Sequence, residues 1–493
     1  MKQYFLFILV VFSPFLGFSQ YQSGMRLERY AGLYSTAINP AALSFTPARW
    51  EVSLGAFDVF AHQNYGRILN TSVPDLLRNP ESLALLEDIA TNPDGPANAQ
   101  IPVAFYNQGR VFGQVQTRVA GPGFALRLAQ QHSVGLSVSA RFMLSSYRIP
   151  ALFRYENITN LQYGETYNVD KVKLSTMAWN EIAGHYAYRN FDGDILFSVG
   201  ITPKFLTGFQ GAYTAVNADF DYTPINADTT DIGSANWAFG FTNDIAYAAD
   251  PATYRPRANG FGGGVDLGFS WAMPKEDPDA AEDYLWRAGV SLLDVGAVRF
   301  NRNAEAHRIQ FSQIATVAGD TLAAAANIGP EQAVQTLSDV LLGDPNASRT
   351  ANGFTMGLPT VLSAQFDYGF TPHIYVQGVV TQRLPIFKNA LKSPNMLAVV
   401  PRFEHQWLSF SVPLVLNDYR FLRVGVAARL GIVYFGTDNL LSWTGQRSLT
   451  GTDLYAGVKI NGFKIRGGKK RQSNRGGLRT RDRRWKDVGC YNQ

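Results

Sequence analysis

The stretch Ser133-Val134-Gly135-Leu136-Ser137-Val138-Ser139-Ala140-Arg141-Phe142-Met143-Leu144-Ser145 decides the fold. Successive side chains of an extended strand point to opposite faces. One face therefore carries Val134, Leu136, Val138, Ala140, Phe142 and Leu144. The other carries serines, Gly135, Arg141 and Met143. A soluble antiparallel sheet also produces such an amphipathic ribbon, so recurrence is the discriminator. The same alternation returns in Phe261–Trp271, Trp286–Leu292, Leu362–Phe370, Leu408–Leu414 and Leu422–Leu430. The segments are about ten residues long, the length a tilted strand needs to cross the hydrocarbon of a bilayer.

The connections alternate as well. Short turns fall at 130–132, 190–194, 371–373 and near Gln406. Long or polar stretches fall at 66–111, 148–171, 211–257, 301–357, 385–395, 417–420 and 437–452, and the loop after Trp271 is intermediate. Short turns at one end and long loops at the other are the rhythm of a membrane barrel. With a first strand at 50–64 and a last at 453–463, about 14 strands are expected, the one at 432–435 having the weakest pattern. The expected fold is all-β: a transmembrane antiparallel β-barrel over 50–463 in the outer membrane. An even count puts the N- and C-termini on one side, the periplasm.

Composition agrees. The chain has 493 residues, of which 17% are charged and 13% aromatic, with 45 glycines; soluble proteins carry roughly 25% charged residues. Residues 1–19 read as a signal peptide: Lys2, an apolar run from Tyr4 to Phe18 interrupted by Pro14, then small residues at Gly17 and Ser19. Beyond it no apolar run is long enough for a membrane-crossing helix. Cys490 is the only cysteine, so no intramolecular disulfide is expected. The net charge of +5 belongs to the end of the chain. From Lys464 onward there are 11 Lys or Arg against two Asp, leaving 33 basic and 37 acidic residues elsewhere. This segment, 464–493, is Gly-rich and poor in aliphatics, and is expected to be a disordered tail. In the periplasm it would meet anionic lipid or a protein partner rather than nucleic acid.

Two loops carry helical spacing, 74–90 and Pro330–Leu342, each opening on proline with an acid beside it. Both are expected to pack over the barrel mouth. The constellations of chemistry are thin. Six histidines (His62, His132, His185, His307, His373, His405) show no metal-ligand spacing, Gly260–Gly264 lies within an alternating strand, and no nucleophile elbow is present. No catalytic residue, metal or cofactor is expected, and the chain does not read as an enzyme. Charges on the inferred lumen face are more telling: Arg127, Arg141, Glu181, Asp266, Arg287, Asp367, Arg423 and Arg429. Unpaired buried charge is costly, so they either form an ion-paired lattice that fixes an internal plug or line a polar conduit. Asp294 follows Leu292-Leu293, where the alternation slips. A β-bulge is expected there, with a kink that could open the wall to the bilayer.

With the strands in place, several segments resemble a known family. Tyr34-Ser35-Thr36-Ala37-Ile38-Asn39-Pro40-Ala41-Ala42-Leu43 resembles the Asn-Pro-Ala segment near the N-terminus of FadL/TodX-type outer-membrane proteins. Gly121-Pro122-Gly123, Gly289–Gly296 and Tyr434–Leu440 are similar to segments of an uncharacterised Bacteroidetes family of FadL-like barrels. The likeness runs from about Met25 to Phe463. It implies a 14-stranded barrel whose segment 20–49, with Ile38, Asn39, Pro40 and Ala41, folds inward as a hatch. It also implies uptake of hydrophobic or amphipathic small molecules. The alternative it leaves open is a plugged barrel acting as scaffold for an envelope protein partner, as in the FadL-like shuttle protein of the type IX secretion system. The chain departs from the pattern at its end, where a basic tail follows Phe463 instead of a terminal aromatic.

Overall fold

The structure is a computed structural model that describes residues 22–462, apart from 79–82, 86–100, 106–110, 129, 150–161, 170, 193–194, 217–219, 245–255, 276–283, 322–323, 325–328 and 446–447. The proposed signal peptide, Phe463 and the basic tail lie outside the described residues.

Fourteen antiparallel strands close into one ring. In chain order they are β1 (Trp50–Gln63), β2 (Val111–Arg127), β3 (His132–Ile149), β4 (Val172–Asp192), β5 (Ile195–Val216), β6 (Gly260–Pro274) and β7 (Tyr284–Phe300). The ring continues with β8 (Phe354–Gly357 and Val361–Gly369), β9 (Ile374–Arg383), β10 (Met396–Glu404) and β11 (Leu408–Ser411 and Leu414–Asn417). It ends with β12 (Phe421–Val424 and Val426–Leu430), β13 (Val433–Thr437) and β14 (Gly451–Gly462). Each pairs with its neighbour in sequence, and β14 returns to β1 with Trp50 opposite Gly462. Closure removes the unpaired edges that an open sheet would present, which is why barrels, alone among sheets, can sit in lipid.

The alternation sets which side faces out. On β3, Leu136 and Val138 are exposed while Ser133, Ser139, Met143 and Ser145 are buried. The outer face elsewhere presents Phe205, Phe366 and Phe410, and Leu422 at 65% exposure. An apolar belt of this extent around a monomer belongs in hydrocarbon. Trp50, Phe370 and Trp407, all exposed at the short-turn end, form part of an aromatic girdle. The chain is an outer-membrane β-barrel.

Two expectations about the loops are corrected. Within the helix expected over 74–90, Val73–Arg78 is helical and Leu83–Leu85 is instead a strand parallel to Ile101–Val103, while 79–82 and 86–90 lie outside the described residues. Pro80 has no N–H and disfavours helical geometry in the residue before it, a mark in the sequence against one unbroken helix over 74–90. The stretches 211–257 and 301–357, read as loops, contain strands that raise the wall at the long-loop end. Thr229–Thr242 pairs with the end of β5 and with Ala304–Phe311. The helix Pro330–Leu342 does form and ends at Gly343 (φ 78). Its Leu341, Val334 and Leu337 cover Phe239 and Ile309 of this extension, so it packs on the raised wall rather than across the mouth.

Candidate functional site

The lumen is occupied by the chain's own N-terminal segment. Ser23–Arg26 is one α-turn, and Arg29–Ala37 and Pro40–Phe45 are 3₁₀ turns. Gly32 breaks the second element at φ 58. A Cβ there would lie 1.5 Å from the Glu51 carboxylate, which accepts the Leu33 N–H at 3.0 Å. Only glycine satisfies both the backbone geometry and this approach.

Ile38–Ala41 is the seat of the hatch. The Ile38 carbonyl accepts from Ser291 Oγ at 2.5 Å and Gln365 Nε2 at 3.2 Å. Asn39 caps the next turn through Oδ1, which accepts the Ala41 N–H at 2.9 Å. Its Nδ2 donates to the Phe269 carbonyl, Ser270 and Gln365. Pro40 and Ala41 lie against two wall glycines. A Cβ at Gly200 would come within 2.3 Å of the Ala41 nitrogen, and one at Gly268 within 2.1 Å of Asn39 Oδ1.

All eight charges read as lumen-facing turn inward, and most are ion-paired. Glu181 meets Arg118 (3.1 Å) and Arg141 (3.2 Å). Arg141 also meets Asp294 (3.0 Å), and Lys204 bridges Asp294 (2.6 Å) and Asp266 (2.7 Å). Asp367 receives Arg402 (2.5 Å) and Arg287 (3.6 Å). Arg429 pairs with Glu28 of the hatch at 2.9 Å. Arg127 donates to the Thr46 carbonyl, and Arg423 lies over the Phe60 ring at 5.1 Å. The lattice therefore grips the hatch: Arg26 pairs with Asp58 (3.1 Å) and Arg29 with Glu404 (2.8 Å). The sequence reading missed Arg26, Glu28 and Arg29 of the hatch, and Asp58, Arg118, Lys204, Arg402 and Glu404 of the wall. The wall members were reachable by extending the two-residue alternation to β1, β2, β5 and β10; the hatch members obey no periodicity. Replacing such pairs by well-packed apolar residues is often neutral, but losing one partner is costly. The lattice thus specifies where the hatch sits more than how stable the barrel is.

Among the places where the wall's ladder breaks, one involves three neighbouring strands, β6, β7 and β8. Between β6 and β7, Val265 faces Val295 and Leu267 faces Leu292, so Asp266 opposes both Leu293 and Asp294. Asp294 has φ 54. On the other side of β7, pairing with β8 stops at Ala297–Gly357 and resumes at Leu293–Val361. Pro359 in the gap has no N–H to give, and Thr360 Oγ1 donates to the Asp294 carbonyl at 2.7 Å. A polar cavity of about 60 Å³ lies inside, lined by Arg26, Thr36, Arg141, Lys204, Asp294 and Val361. On the lipid side, an apolar groove of about 450 Å³ is lined by Val199, Ile201, Leu267, Val290, Leu292 and Leu362. One layer of wall separates them: Asp266 and Leu267, Leu293 and Leu292, and Val361 and Leu362 are sequence neighbours on opposite faces. Among the described residues, no group of three or more His, Cys, Asp or Glu is placed to hold a metal.

Residues 24–438 match the family described as a family of unknown function, DUF5723. No curated protein matches the chain. Among solved structures the chain is similar to a deltaS2 mutant of the TodX monoaromatic hydrocarbon channel, at 9% identity and TM-score 0.40, covering 88% of this chain and 95% of that one. It is also similar to a Pseudomonas aeruginosa FadL homologue, at 11% identity and TM-score 0.31, covering 90% and 99%. A third likeness is the Ralstonia pickettii toluene transporter TbuX, at 10% identity and TM-score 0.30, covering 90% and 97%.

Proposed function

The chain belongs to the DUF5723 family, and we propose that it is a hatch-gated outer-membrane channel for hydrophobic or amphipathic small molecules, held closed here. In this reading both termini lie in the periplasm, the long loops face outward, and cargo leaves sideways into the bilayer at the Asp294 bulge. The observation that carries it is the back-to-back arrangement of the inner cavity and the lipid-side groove where pairing breaks on both sides of β7, at the Asp294 bulge. A polar group entering the inner cavity finds ion-paired partners that can re-pair with it. An apolar body crossing the wall finds the groove ready. The hatch is seated by ion pairs and hydrogen bonds together with apolar contacts of Leu27, Ile38, Leu33, Leu43 and Phe45 with the wall, so cargo that unseats it must replace both.

A second reading also has an observation behind it. The lattice fills the lumen at the hatch, which suits a scaffold barrel docking an envelope protein through its loops or tail.

Deleting Asp294 separates the two. Leu293 and Asp294 both point inward, so removing one residue straightens β7 without flipping the residues beyond it. Cells carrying the deletion should keep a heat-modifiable barrel of native mobility but lose uptake of 1-N-phenylnaphthylamine. Uptake at the native rate by the straightened barrel contradicts the lateral route. Absence of any uptake by the native chain supports the scaffold.

A further inference from the structure

A second cavity lies away from the hatch, at the long-loop end of the lumen. Its volume is about 370 Å³, within the range of small-molecule sites. Four cations line it, Arg148, Arg383, Lys392 and Arg420, against one acid, Asp418, which lies 3.6 Å from Arg383. A contiguous smaller cavity shares Tyr147 and Lys392 and adds Lys173 and Lys388 with no acid. This gathering runs against the balance of the chain, where acids outnumber bases once the tail is set aside.

The apolar part of the cavity is aromatic. Phe112 and Tyr147 stack at 6.3 Å with an 18° interplanar angle, and Phe421 lies 5.9 Å from Phe112. His62 packs edge-on beneath both phenylalanines. The cations sit over these rings: Arg383 at 4.6 Å and Lys392 at 5.0 Å from Tyr147, Arg420 at 5.4 Å from Phe421. Cations held on ring faces are attracted by them yet keep donors free on their other sides.

We propose that this vestibule recognises an aromatic anion, a ring bearing a carboxylate: Arg148, Arg383, Lys392 and Arg420 take the carboxylate, and the Tyr147–Phe112–Phe421 cluster takes the ring. The proposal rests on the channel reading, since it names a cargo class met at the mouth. Planar rings extend the existing stack, whereas a flexible acyl chain would lose rotamer freedom there and gain no stacking. The guanidinium groups offer the carboxylate paired donors. The site also has a reason to welcome negative charge. Burial, with Lys173, Arg383 and Arg148 close by, brings the Lys392 ammonium down to about 8, and a bound anion relieves that repulsion.

The test uses the full chain in lipid nanodiscs and ligand-observed ¹⁹F NMR. The probe is 4-fluorophenylacetate, compared with its neutral amide, 4-fluorophenylacetamide, and with octanoate as competitor. The expected result is binding of the carboxylate at least tenfold tighter than the amide, with weak displacement by octanoate. The Arg148→Gln/Arg420→Gln variant, altered at two exposed positions, should bind at least tenfold more weakly with unchanged barrel mobility. Lys392→Gln should weaken binding in the same direction. Equal binding of acid and amide, native affinity in the double variant, or displacement by octanoate at equal concentration overturns the proposal. The Asp294 deletion keeps the two ideas apart. Carboxylate binding retained in a deletion barrel that has lost uptake upholds both, whereas carboxylate binding by a native chain that takes up nothing upholds the vestibule and overturns the channel. Uptake without carboxylate binding removes the vestibule alone.

Discussion

Glu28→Gln is the sharpest probe of how the hatch is held. Glu28 and Arg429 are both buried, and their contact at 2.9 Å is the ion pair that ties this turn of the hatch to β12. Arg429 gives its remaining donors to the carbonyls of Gln406 (3.0 Å) and His405 (3.0 Å), so it stays in place when its partner is neutralised. A buried cation stripped of its counter-charge costs about 3–5 kcal/mol. The glutamine keeps one hydrogen bond, which points to the lower end, about 3 kcal/mol. At 1.4 kcal/mol per factor of ten, the population with the hatch unseated should rise roughly a hundredfold. Hydrogen exchange of the amides of 23–45, measured in nanodiscs, reads that population directly if opening precedes exchange. The double variant Glu28→Gln/Arg429→Met should recover most of the protection, because removing both charges leaves nothing unpaired. Unchanged exchange in the single variant, or a double variant worse than the single, refutes the argument that charge pairing seats the hatch.

Other consequences follow from the same geometry. Gly268→Ala puts a Cβ where Asn39 Oδ1 and Pro40 now lie; overpacking of this kind costs about 1–3 kcal/mol, so hatch amides should exchange at least several-fold faster while the strands keep their protection. The lysine at the mouth gives a pH signature. Its folded-state value of about 8 lies below its ordinary 10.5, so between these values the unfolded chain holds a proton that the folded one has released, and stability rises with pH. Tm should therefore climb from pH 8 to 10 in the native chain more than in Lys392→Met; equal slopes show that burial, with Lys173, Arg383 and Arg148 beside it, does not hold this lysine down.

The wall was legible because strand periodicity is a property of the backbone itself. Val134–Leu144 and its repeats needed no partner to be recognised, and inward charges such as Asp367 and Arg429 followed from parity alone. Asp294 was visible for the same reason: two successive inward residues break the period. What pairs across the lumen was not legible. Glu28 and Arg429 lie 401 residues apart, and nothing local in either marks the other. The raised wall was missed because Thr229–Thr242 pairs only with the end of β5 and with other loop strands. Its Trp237, Phe239 and Phe241 alternate, but a polar surrounding sequence hid them. The helix Pro330–Leu342 was readable from its proline start and glycine stop. The helix expected through Leu83–Leu85, which form a strand, gave leucine spacing more weight than Pro80. The lipid-side groove had no signature, since it arises from how outward side chains such as Val199, Leu267, Val290 and Leu362 fall across neighbouring strands.

Single-channel recording in planar lipid bilayers tests the central claim most directly, comparing the full chain with a chain lacking residues 23–45. A closed ring of strands stoppered by its own first turns should be silent when whole. It should pass a steady ionic current once the stopper is gone. A whole chain that conducts freely, or a shortened one that inserts yet stays silent, contradicts the account.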